Sequence, residues 1–505
     1  MPLSRTKQIE FGDFQTPLEL AREVCALIRR QGFLPRTILE PTCGQGNFIR
    51  AALEAFPAAK RILGIEYNSE YAGFAQASLS STKETHLQIL EGDFFDQKWR
   101  ELIRELADPI LILGNPPWVT NAVLGSLQSK NLPPKQNIDS LRGLDAITGK
   151  ANFDISEWML RENLKWLLNR DGMLAVLCKT SVARKVLKHA WSQGMPIGSA
   201  AIYRIDAKEH FNASVDACLF CVGTSRANAS CECADYDSLN SKKPKTCFGY
   251  RDEELVADVD LYERWRHLRR PGLFGWRSGI KHDCSKVFEL DERDGEWVNG
   301  LGEQVDVEEK TLFPLLKSSD LSAGRTARKK IFVPQKSMSE SPEILQHTSP
   351  KAWEYLCKHS ALLTRRARSI YKKRPPFSIF GVGPYSFAHW KVGISGFYKT
   401  LQFVPIGPMD GKPTLLDDTC YLFSCALQEE CELLVTLCGS KVATEFFQSL
   451  IFWDTKRPIT ARLLNMLDLE TLASELNLQS HHTRALSQRQ ITDYSPDQNR
   501  QLLFR

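Results

Sequence analysis

One segment of the chain combines residue types that can activate an aromatic amine. The apolar run 110–113 is followed closely by Asn115-Pro116-Pro117-Trp118. The lone pair of an aromatic amine is delocalised into its ring, so the amine needs acceptors for its hydrogens rather than a strong base. The Asn115 side-chain oxygen and the Pro116 carbonyl are two such acceptors, and the proline rings restrict the backbone dihedrals. The segment therefore predicts activation of a planar amine as a nucleophile.

Trp118 adds a flat aromatic face beside these acceptors. Base–aromatic stacking contributes about 1–3 kcal/mol per base, which helps offset the few kcal/mol needed to flip a base out of a duplex. An ordinary tight turn that ends in a buried tryptophan has the same residue types. The segment alone therefore leaves a purely structural turn as the alternative.

A glycine-containing segment upstream indicates a nucleoside-binding turn. The apolar run 37–39 passes into Glu40 and then into a stretch with Gly44 and Gly46, after which the pattern is helical. Glycines permit a tight turn and let a ligand approach the backbone closely. The segment lacks the Gly-Lys-Ser/Thr ending of a phosphate loop, and the Glu40 carboxylate would repel phosphate. The same carboxylate suits the cationic amine or sulfonium of a methionine-derived cofactor.

Two further carboxylates follow at the ends of predicted strands. Glu66 lies 20 residues after Gly46, where an acidic side chain conventionally accepts hydrogen bonds from ribose hydroxyls. Asp93 ends the third strand, where its carboxylate would accept from an adenine amine while Phe94 packs on the ring. Either acid alone would more often be a solvated loop carboxylate. Their shared position at strand ends favours a ligand site.

The pattern of the first 225 residues predicts the elements that position these side chains. Short apolar runs alternate with amphipathic stretches, which is typical of an α/β domain with a largely parallel sheet. Such sheets bind ligands beyond the carboxyl ends of their strands. The predicted strands are Thr37–Glu40, Arg61–Glu66, Leu87–Leu90, Pro109–Leu113, Met173–Cys178 and Ile202–Ile205, and the predicted helices are Leu18–Ile28 and Phe153–Leu168.

The character of the chain changes after residue 225. We expect a catalytic domain over 1–225, a linker or extended segment over 226–247, a mixed, β-containing domain over 248–476 and a polar tail over 477–505. The linker prediction rests on a run of Asn, Ser, Asp, Lys and Pro. The β-containing prediction rests on short segments punctuated by Gly and Pro.

Composition excludes several classes of protein. The chain has 505 residues, of which 43% are hydrophobic and 25% charged, with a net charge of +5. These values are typical of a soluble globular protein of two or three domains. The N-terminus has no signal-peptide pattern and the apolar runs are too short to span a membrane. We therefore expect a cytoplasmic protein without a membrane partner.

The fourteen cysteines fit reduced thiols that serve as small hydrophobic residues. Cys218 and Cys221 have zinc-ligand spacing, with Cys231 and Cys233 nearby. The run 215–222 reads as a buried strand, however, and neither a second CxxC nor a His pair follows at zinc-finger spacing. We expect no metal.

In order and residue types, these motifs resemble the gamma-class amino methyltransferases of type II restriction–modification systems, which methylate adenine N6 in DNA. The resemblance covers residues 9–222 and includes 11–17, where Thr16 would contact the methionine carboxylate of the cofactor. It implies a Rossmann-like class I methyltransferase sheet, mostly parallel with one antiparallel strand, S-adenosylmethionine as cofactor and no required metal. The implied catalytic residues are Asn115, Pro116, Pro117, Trp118 and Phe211. The implied cofactor-binding residues are Thr16, Pro17, Glu40, Pro41, Thr42, Cys43, Gly44, Gly46, Phe48, Glu66, Asp93, Phe94, Asn115 and Pro117.

In that family a further aromatic residue sandwiches the flipped base, and Phe211 is similar to it in position. Phe211 precedes an apolar strand, so a core residue is an equal alternative. The family also places a target-recognition domain after the catalytic domain, which assigns 248–476 to DNA recognition.

A basic segment supports that assignment. Residues 361–400 contain eight Lys or Arg residues, eight aromatic residues and no Asp or Glu, a composition suited to phosphates and guanine edges. A solvated basic face with its aromatic residues in the core is the alternative. Residues 325–330 are a smaller candidate cluster. The predicted DNA-binding residues are Arg365, Arg366, Arg368, Lys372, Lys373 and Arg374.

The implied function is site-specific methylation of adenine N6 in double-stranded DNA within a restriction–modification system, with a cognate endonuclease that acts on the same site as a partner. Methyltransferases of RNA or of protein amides carry similar motifs and stay an alternative, which the long C-terminal half disfavours. A nuclease fusion would rest on a faint acid-x-Lys pattern at Asp306 and 308–310. A DNA-binding module without catalysis is disfavoured by the intact motif at 115–118.

Overall fold

The alternating apolar runs of the N-terminal half form a large β-sheet with helices between its strands. The computed structural model describes residues 15–79, 86–95, 99–119, 154–224, 229–270, 275–366, 370–371 and 374–478. The strands are β1 (Thr37–Glu40), β2 (Arg61–Glu66), β3 (His86–Glu91), β4 (Ile110–Gly114), β5 (Gly172–Lys179), β6 (Ser199–Ile205), β7 (Ala217–Gly223), β8 (Glu232–Tyr236), β9 (Thr246–Arg251) and β10 (Glu254–Val256). The helices are α1 (Leu18–Arg30), α2 (Asn47–Ala55), α3 (Ser69–Ser78), α4 (Trp99–Arg104), α5 (Ile155–Leu167), α6 (Thr180–Ser192) and α7 (Ala207–Phe211).

The strand order of this sheet is β10-β9-β8-β6-β7-β5-β4-β1-β2-β3. Strands β1 to β5 pair in parallel with one another, and β7 lies antiparallel between β5 and β6. From β1 the chain moves outward through β2 and β3 and then returns to the other side of β1 as β4. Open α/β sheets bind ligands at such a reversal of order. The predicted class I arrangement, mostly parallel with one antiparallel strand, is confirmed for the strands up to β7.

Local signals in the sequence explain where the helices begin and which face they bury. In α1, Leu20 and Val24 are buried at the i, i+4 spacing of one helical face. The side chains of Asn68, Asp154 and Asp206 accept hydrogen bonds from backbone N–H groups at the starts of α3, α5 and α7. Such caps satisfy N–H groups that the helix itself leaves unpaired. They fix the residue at which each of these helices begins.

The segment predicted as a linker or extended segment, 226–247, contains strand β8 and the start of strand β9. Strand β8 pairs in parallel with β6 and antiparallel with β9, and β9 pairs with β10. The buried Asp235 of β8 forms an ion pair with Arg204 of β6 at 2.7 Å. The polar residues of the segment fit a strand near a sheet edge, where polar and apolar residues alternate. The two compact units of the chain divide after Val259.

The second compact unit, Asp260–Arg505, contains two smaller sheets. Their orders are β11-β19-β16-β17 and β13-β12-β15-β14-β18. The strands are β11 (Trp276–Ser278), β12 (Glu289–Arg293), β13 (Glu296–Asn299), β14 (Leu312–Leu316), β15 (Lys329–Phe332), β16 (Trp390–Ser395), β17 (Val404–Ile406), β18 (Leu415–Leu416) and β19 (Cys420–Cys425). The helices, including α8 at the junction of the units, are α8 (Val259–Trp265), α9 (Ser285–Phe288), α10 (Ser318–Ser322), α11 (Leu345–Thr348), α12 (Pro350–Lys358), α13 (Ser360–Thr364), α14 (Gln428–Cys438), α15 (Lys441–Leu450), α16 (Ala461–Leu464) and α17 (Leu469–Glu475).

This architecture confirms the prediction of a mixed, β-containing C-terminal half. Within the described ranges, every helix is too short or too polar to cross a lipid bilayer. The predicted polar tail lies outside the described residues from residue 479 onward.

Candidate active site

A cleft opens beyond the carboxyl ends of β1, β2 and β4, where the strand order reverses. The predicted residues that line it are Thr16, Pro41, Thr42, Cys43, Gly44, Phe48, Glu66, Asp93, Phe94, Asn115 and Pro117. The sequence analysis missed Gln15, Asn47, Tyr67, Asn68, Tyr71, Gly92, Phe95, Ile155 and Met159, which line it too. The other predicted site residues of this unit, which lie outside the lining, are Pro17, Glu40, Gly46, Pro116, Trp118 and Phe211.

The two glycines of the turn after β1 serve different purposes. Gly44 adopts a φ of 51° and Gly46 a φ of 82°, in the left-handed region that side chains disfavour. A Cβ on Gly44 would stand 2.7 Å from Gln15 Oε1, and one on Gly46 would stand 2.8 Å from Leu79 Cδ1. The Gln45 N–H donates to Gln15 Oε1 at 3.2 Å. Gly44 therefore lets the N-terminal segment close on the turn, while Gly46 lets α2 begin against the end of α3.

Thr16 is held at the cleft by a contact with that turn. Its backbone carbonyl accepts a hydrogen bond from Asn47 Nδ2 at 2.9 Å. Pro17 follows as the N-cap of α1, which begins at Leu18, and it lies outside the lining. Asn47 directly follows Gly46, so its place at the helix start was a usable signal in the sequence.

Glu66 is fixed at the end of β2 by backbone donors. Its Oε2 accepts from the Gly44 N–H and its Oε1 from the Asn68 N–H, both at 2.8 Å. A carboxylate oxygen has more than one acceptor site, so Glu66 can still accept hydrogen bonds from hydroxyl groups in the cleft. Tyr67 follows it with 47% of its surface exposed. The two residues place an acceptor and a flat ring side by side.

Asp93 and Phe94 lie at the end of β3 in an aromatic wall. Asp93 Oδ1 accepts a hydrogen bond from the Phe95 N–H at 2.9 Å. The Phe94 ring packs 5.7 Å from Trp99 and 5.4 Å from Trp166, measured between ring centroids. Phe94 is only 6% exposed. It therefore contributes to the cleft as the edge of a packed cluster rather than as an isolated ring.

Glu40 was predicted to contact the cofactor, but its side chain lies behind the cleft. Glu40 is 2% exposed, and its Cγ lies 3.3 Å from the point where a Cβ on Gly114 would stand. Burial and the charge of Glu66 raise the pKa of Glu40 well above its usual value, against a backbone hydrogen bond from Ile49 that lowers it. Glu40 therefore packs against Gly114 at the end of β4, the residue that directly precedes Asn115.

The turn after β4 brings Asn115 and Pro117 to the cleft, with Asn115 Oδ1 buried. Trp118 and Phe211, which are predicted to be base-binding rings, lie in contact with each other. Both are buried, and their rings meet edge to face with centroids 5.2 Å apart. The Trp118 Nε1–H donates to the Leu177 carbonyl at 3.3 Å. In this arrangement the pair is part of the core, which is the alternative given for Phe211.

The residues that line the cleft fit S-adenosylmethionine. The Glu66 carboxylate suits ribose hydroxyls, and the exposed ring of Tyr67 suits a nucleobase. Gly44 places the backbone of the turn after β1 at the wall of the cleft. Thr16 adds a polar side chain, and Asn115 lines the same cleft.

The predicted DNA-binding arginines of the C-terminal unit have different surroundings. Arg366 donates to three backbone carbonyls at 2.8–3.3 Å and lies over the Tyr371 ring at 4.0 Å. Arg374 donates to the Met338 carbonyl at 3.2 Å. Arg365 is exposed. Arg368, Lys372 and Lys373 lie outside the described residues. Arg366 and Arg374 thus hold their own loop, and Arg365 keeps the character expected of a phosphate contact.

The second basic cluster is compensated by acidic neighbours. Arg325 and Arg328 pair with Asp320, Lys329 pairs with Asp291, and Lys330 pairs with Glu309, at distances of 2.7–3.6 Å. Paired charges attract phosphate less than isolated ones do.

The acidic pattern considered for a nuclease has structural contacts. Asp306 pairs with Lys351 at 2.7 Å, and Glu308 accepts from the backbone N–H groups of Lys351 and Ala352 at the start of α12. Cys218 and Cys221 are buried thiols of β7. Within the described ranges, no group of three or more potential metal ligands comes together.

Comparisons with known proteins place this architecture in a family. No protein-family model matches the chain. The type II methyltransferase M.NspV from Nostoc sp. (strain ATCC 29411 / PCC 7524) is 45% identical over 474 residues, which make up 93% of this chain and 98% of that protein. A solved structure of the type IIL restriction-modification enzyme MmeI in complex with DNA shares the fold over 91% of this chain, with a TM-score of 0.51 and 13% identity, and this chain spans 65% of it.

A Listeria monocytogenes structure described as a class I S-adenosylmethionine-dependent methyltransferase matches 48% of this chain and 69% of its own, with a TM-score of 0.32 and 15% identity. The similarity to M.NspV extends over nearly the full length of both proteins. The chain therefore belongs to the type II methyltransferase family, with S-adenosylmethionine as its cofactor.

Proposed function

We propose that this protein methylates N6 of adenine at a specific sequence of double-stranded DNA, as the modification enzyme of a restriction–modification system. The observation that carries the proposal is that Asn115 and Pro117 line the same cleft as Gly44 and Glu66. Acceptors for an amine and ligands for the methyl donor therefore share one site. The relationship to M.NspV, a type II methyltransferase, and the shared fold with MmeI, which was solved with DNA, support DNA as the substrate.

In the proposed reaction, Asn115 Oδ1 accepts one hydrogen of the adenine amine and the Pro116 carbonyl accepts the other. The two acceptors direct the nitrogen lone pair out of the plane of the base. S-adenosylmethionine, when bound, supplies a methyl group on a sulfonium that leaves as the neutral thioether when the new carbon–nitrogen bond forms. The nitrogen then carries a positive charge, which the same acceptors stabilise until its extra proton passes to water.

The target base must leave the DNA stack to reach Asn115. In the proposal it stacks on Trp118, and Phe211 covers its other face. Because the two rings touch in the structure, one of them must turn aside to admit a base. Phe211 ends the five-residue helix α7 and is followed by Asn212 with a φ of 51°. This short, exposed connection is where we place the movement.

The test is transfer of labelled methyl from S-adenosylmethionine to mixed-sequence duplex DNA, followed by digestion to nucleosides. We expect labelled N6-methyladenine from the wild type and a rate about 10²–10³-fold lower from Asn115→Ala, the usual cost of removing one polar group that stabilises charge in a transition state. Asn240→Ala, at an exposed turn of the same unit, is the control and should keep the wild-type rate.

Label in another nucleoside would refute the choice of adenine N6 while leaving DNA as the substrate. Label that appears only when RNA or protein replaces DNA would refute the proposal altogether. If the wild type modifies DNA, that DNA should also resist an endonuclease that cuts the same sequence, which is the partner we propose.

A further inference from the structure

The turn 115–118 after β4 is called the catalytic turn below. The ammonium group of Lys179 connects it to the residue that caps helix α5, which lines the cleft. Lys179 is the last residue of β5, and its Nζ donates to the Trp118 carbonyl at 3.1 Å. The same Nζ pairs with Asp154 Oδ2 at 2.5 Å. Asp154 has a side-chain exposure of 7% and Lys179 one of 21%. The ion pair is therefore largely shielded from water, where charged hydrogen bonds are stronger than at the surface.

Asp154 carries this connection into helix α5. Its Oδ1 accepts from the Ser156 N–H at 3.2 Å and from the Ser156 hydroxyl at 2.5 Å, and it caps the helix. The next residue, Ile155, donates its N–H to the Val119 carbonyl at 2.9 Å. Ile155 also lines the cleft. One buried ion pair thus joins the catalytic turn, the end of β5 and a helix that forms a wall of the cofactor cleft.

We propose that Lys179 and Asp154 are positioning residues that align the amine acceptors with the methyl donor; this inference rests on the function proposed above. The Trp118 carbonyl lies three residues after Asn115, and both residues between them are prolines. Because proline restricts the backbone dihedrals, fixing the Trp118 carbonyl also restricts the position of Asn115. A carbonyl bonded to an ammonium cannot rotate without breaking a charge-assisted hydrogen bond. Neither side chain touches the reacting atoms in this role.

The chain offers a matched control in Lys185. This lysine lies on α6, which directly follows β5, and it also pairs with a carboxylate of α5, Glu157, at 3.2 Å. Its contact does not include the catalytic turn, and its side chain is 57% exposed. Comparing Lys179→Met with Lys185→Met therefore separates the effect of losing a lysine–helix ion pair from the effect of losing the hydrogen bond to the Trp118 carbonyl.

The experiment measures the single-turnover rate of methyl transfer to duplex DNA, the cofactor Kd and the melting temperature for each variant. We expect Lys179→Met to lower the single-turnover rate about 10–100-fold, because displacement of reacting groups by about 1 Å has effects of this size. The cofactor Kd should change less than about threefold, and Lys185→Met should keep the rate within about twofold of wild type. Lys179→Arg, which keeps a charged donor, should recover part of the lost rate.

The inference is overturned if Lys179→Met keeps the wild-type rate, if Lys179→Arg is no faster than Lys179→Met, or if the cofactor Kd rises by the same factor as the rate falls. Should Lys179→Met fail to fold, Asp154→Asn and Lys179→Arg carry the same comparison, with slower transfer at an unchanged cofactor Kd expected for Asp154→Asn. A wild-type enzyme that leaves DNA unmodified refutes the proposed function instead, so the two failures are distinguishable.

Discussion

The two compact units differ in how closeness in the sequence relates to closeness in space. In the N-terminal unit, Glu66, Asp93 and Asn115 are 27 and 22 residues apart, yet all three line one cleft. In the C-terminal unit, Arg366 and Arg374 belong to one basic segment, yet each is bound to backbone carbonyls. A parallel sheet gathers the ends of its strands at any sequence distance. A run of like charges does not determine what each side chain binds.

The largest effect is expected where the backbone itself shapes the cleft, at Gly114. Its φ of 146° is rare for residues with a Cβ, and an added Cβ would stand 3.3 Å from Glu40 Cγ. We expect Gly114→Ala to displace Asn115 and to lower the initial rate of methyl transfer at least about 100-fold. Gly32→Ala is the control, because Gly32 also has a positive φ of 82° but no atom within 4 Å of the added Cβ. It should lower the melting temperature and leave the rate unchanged. Equal rates for the two variants would contradict the role given to the turn.

A large loss of stability is expected from Arg366→Met in the other unit. Its three hydrogen bonds to carbonyls would be lost, and buried hydrogen bonds to a charged group contribute about 1.5–3 kcal/mol each. Because Arg366 is partly exposed, we expect a decrease of about 2–3 kcal/mol in the free energy of unfolding, measured by urea denaturation.

Arg365→Ala provides the opposite outcome at the neighbouring position. We expect unchanged stability and a weaker affinity for duplex DNA, with the slope of log Kd against log salt reduced by about one phosphate contact. If Arg366→Met were as stable as wild type but bound DNA more weakly, the basic segment would be a DNA-binding surface as first predicted. The contrast between the two units would then disappear.

Most of the N-terminal fold could be predicted because two sequence features indicate the same elements there. These are the spacing of the apolar residues and the turn-forming residues between the apolar runs. The predicted strands Thr37–Glu40 and Arg61–Glu66 have the bounds that the structure gives β1 and β2. Apolar runs of this kind are buried on both faces of a parallel sheet, which makes them easy to recognise. Strands β8 to β10 escaped prediction because their polar alternation resembles a connection. The pairing of β8 with β6, which joins these strands to the main sheet, links residues 33 positions apart in the sequence, so no local pattern reports it.

The candidate site likewise contains residues whose positions follow from local sequence rules and residues whose positions do not. The positions of Gly44 and Glu66 follow from local rules about turns and strand ends, so the sequence sufficed. The Glu40 side chain lies against Gly114, which is 74 residues away in the sequence, and no local pattern reports this contact. The same holds for Lys179, whose partners belong to two other elements and which carried no recognisable motif.

A moderate, pH-dependent effect is expected from Glu40→Gln. An unfolded glutamate ionises near about pH 4.3, and the pKa of Glu40 is raised in the folded protein. Ionisation therefore costs the folded state stability, and this cost grows as the pH rises from about 4.3 towards the folded pKa, by about 1.4 kcal/mol for each unit of raised pKa. Relative to wild type, Glu40→Gln should gain stability as the pH rises above about 4.3, as measured by urea denaturation.

Glu54→Gln is the control for that series. Glu54 is exposed, and the hydrogen bond from Arg22 lowers its pKa. Its contribution to stability is present above the unfolded pKa and is lost as the pH falls through the folded pKa. The stability difference between variant and wild type should therefore change in the opposite direction, and weakly. Matching slopes in the two variants would show that Glu40 is ionised without penalty and that it faces the cleft after all.

The smallest effect is expected from the double variant Arg325→Gln, Arg328→Gln. Both arginines share Asp320 as a partner, at 3.6 and 3.2 Å, and their side chains are 44% and 65% exposed. Exposed ion pairs contribute about 0–1 kcal/mol, so stability should hardly change. Because the carboxylate already balances much of their charge, the DNA Kd should stay within about twofold of wild type and the salt slope should be unchanged. A salt slope that falls as it does in Arg365→Ala would mean that these arginines exchange Asp320 for phosphate on binding. Charge clusters would then have to be judged by how easily their partners are released, in addition to which partners they have.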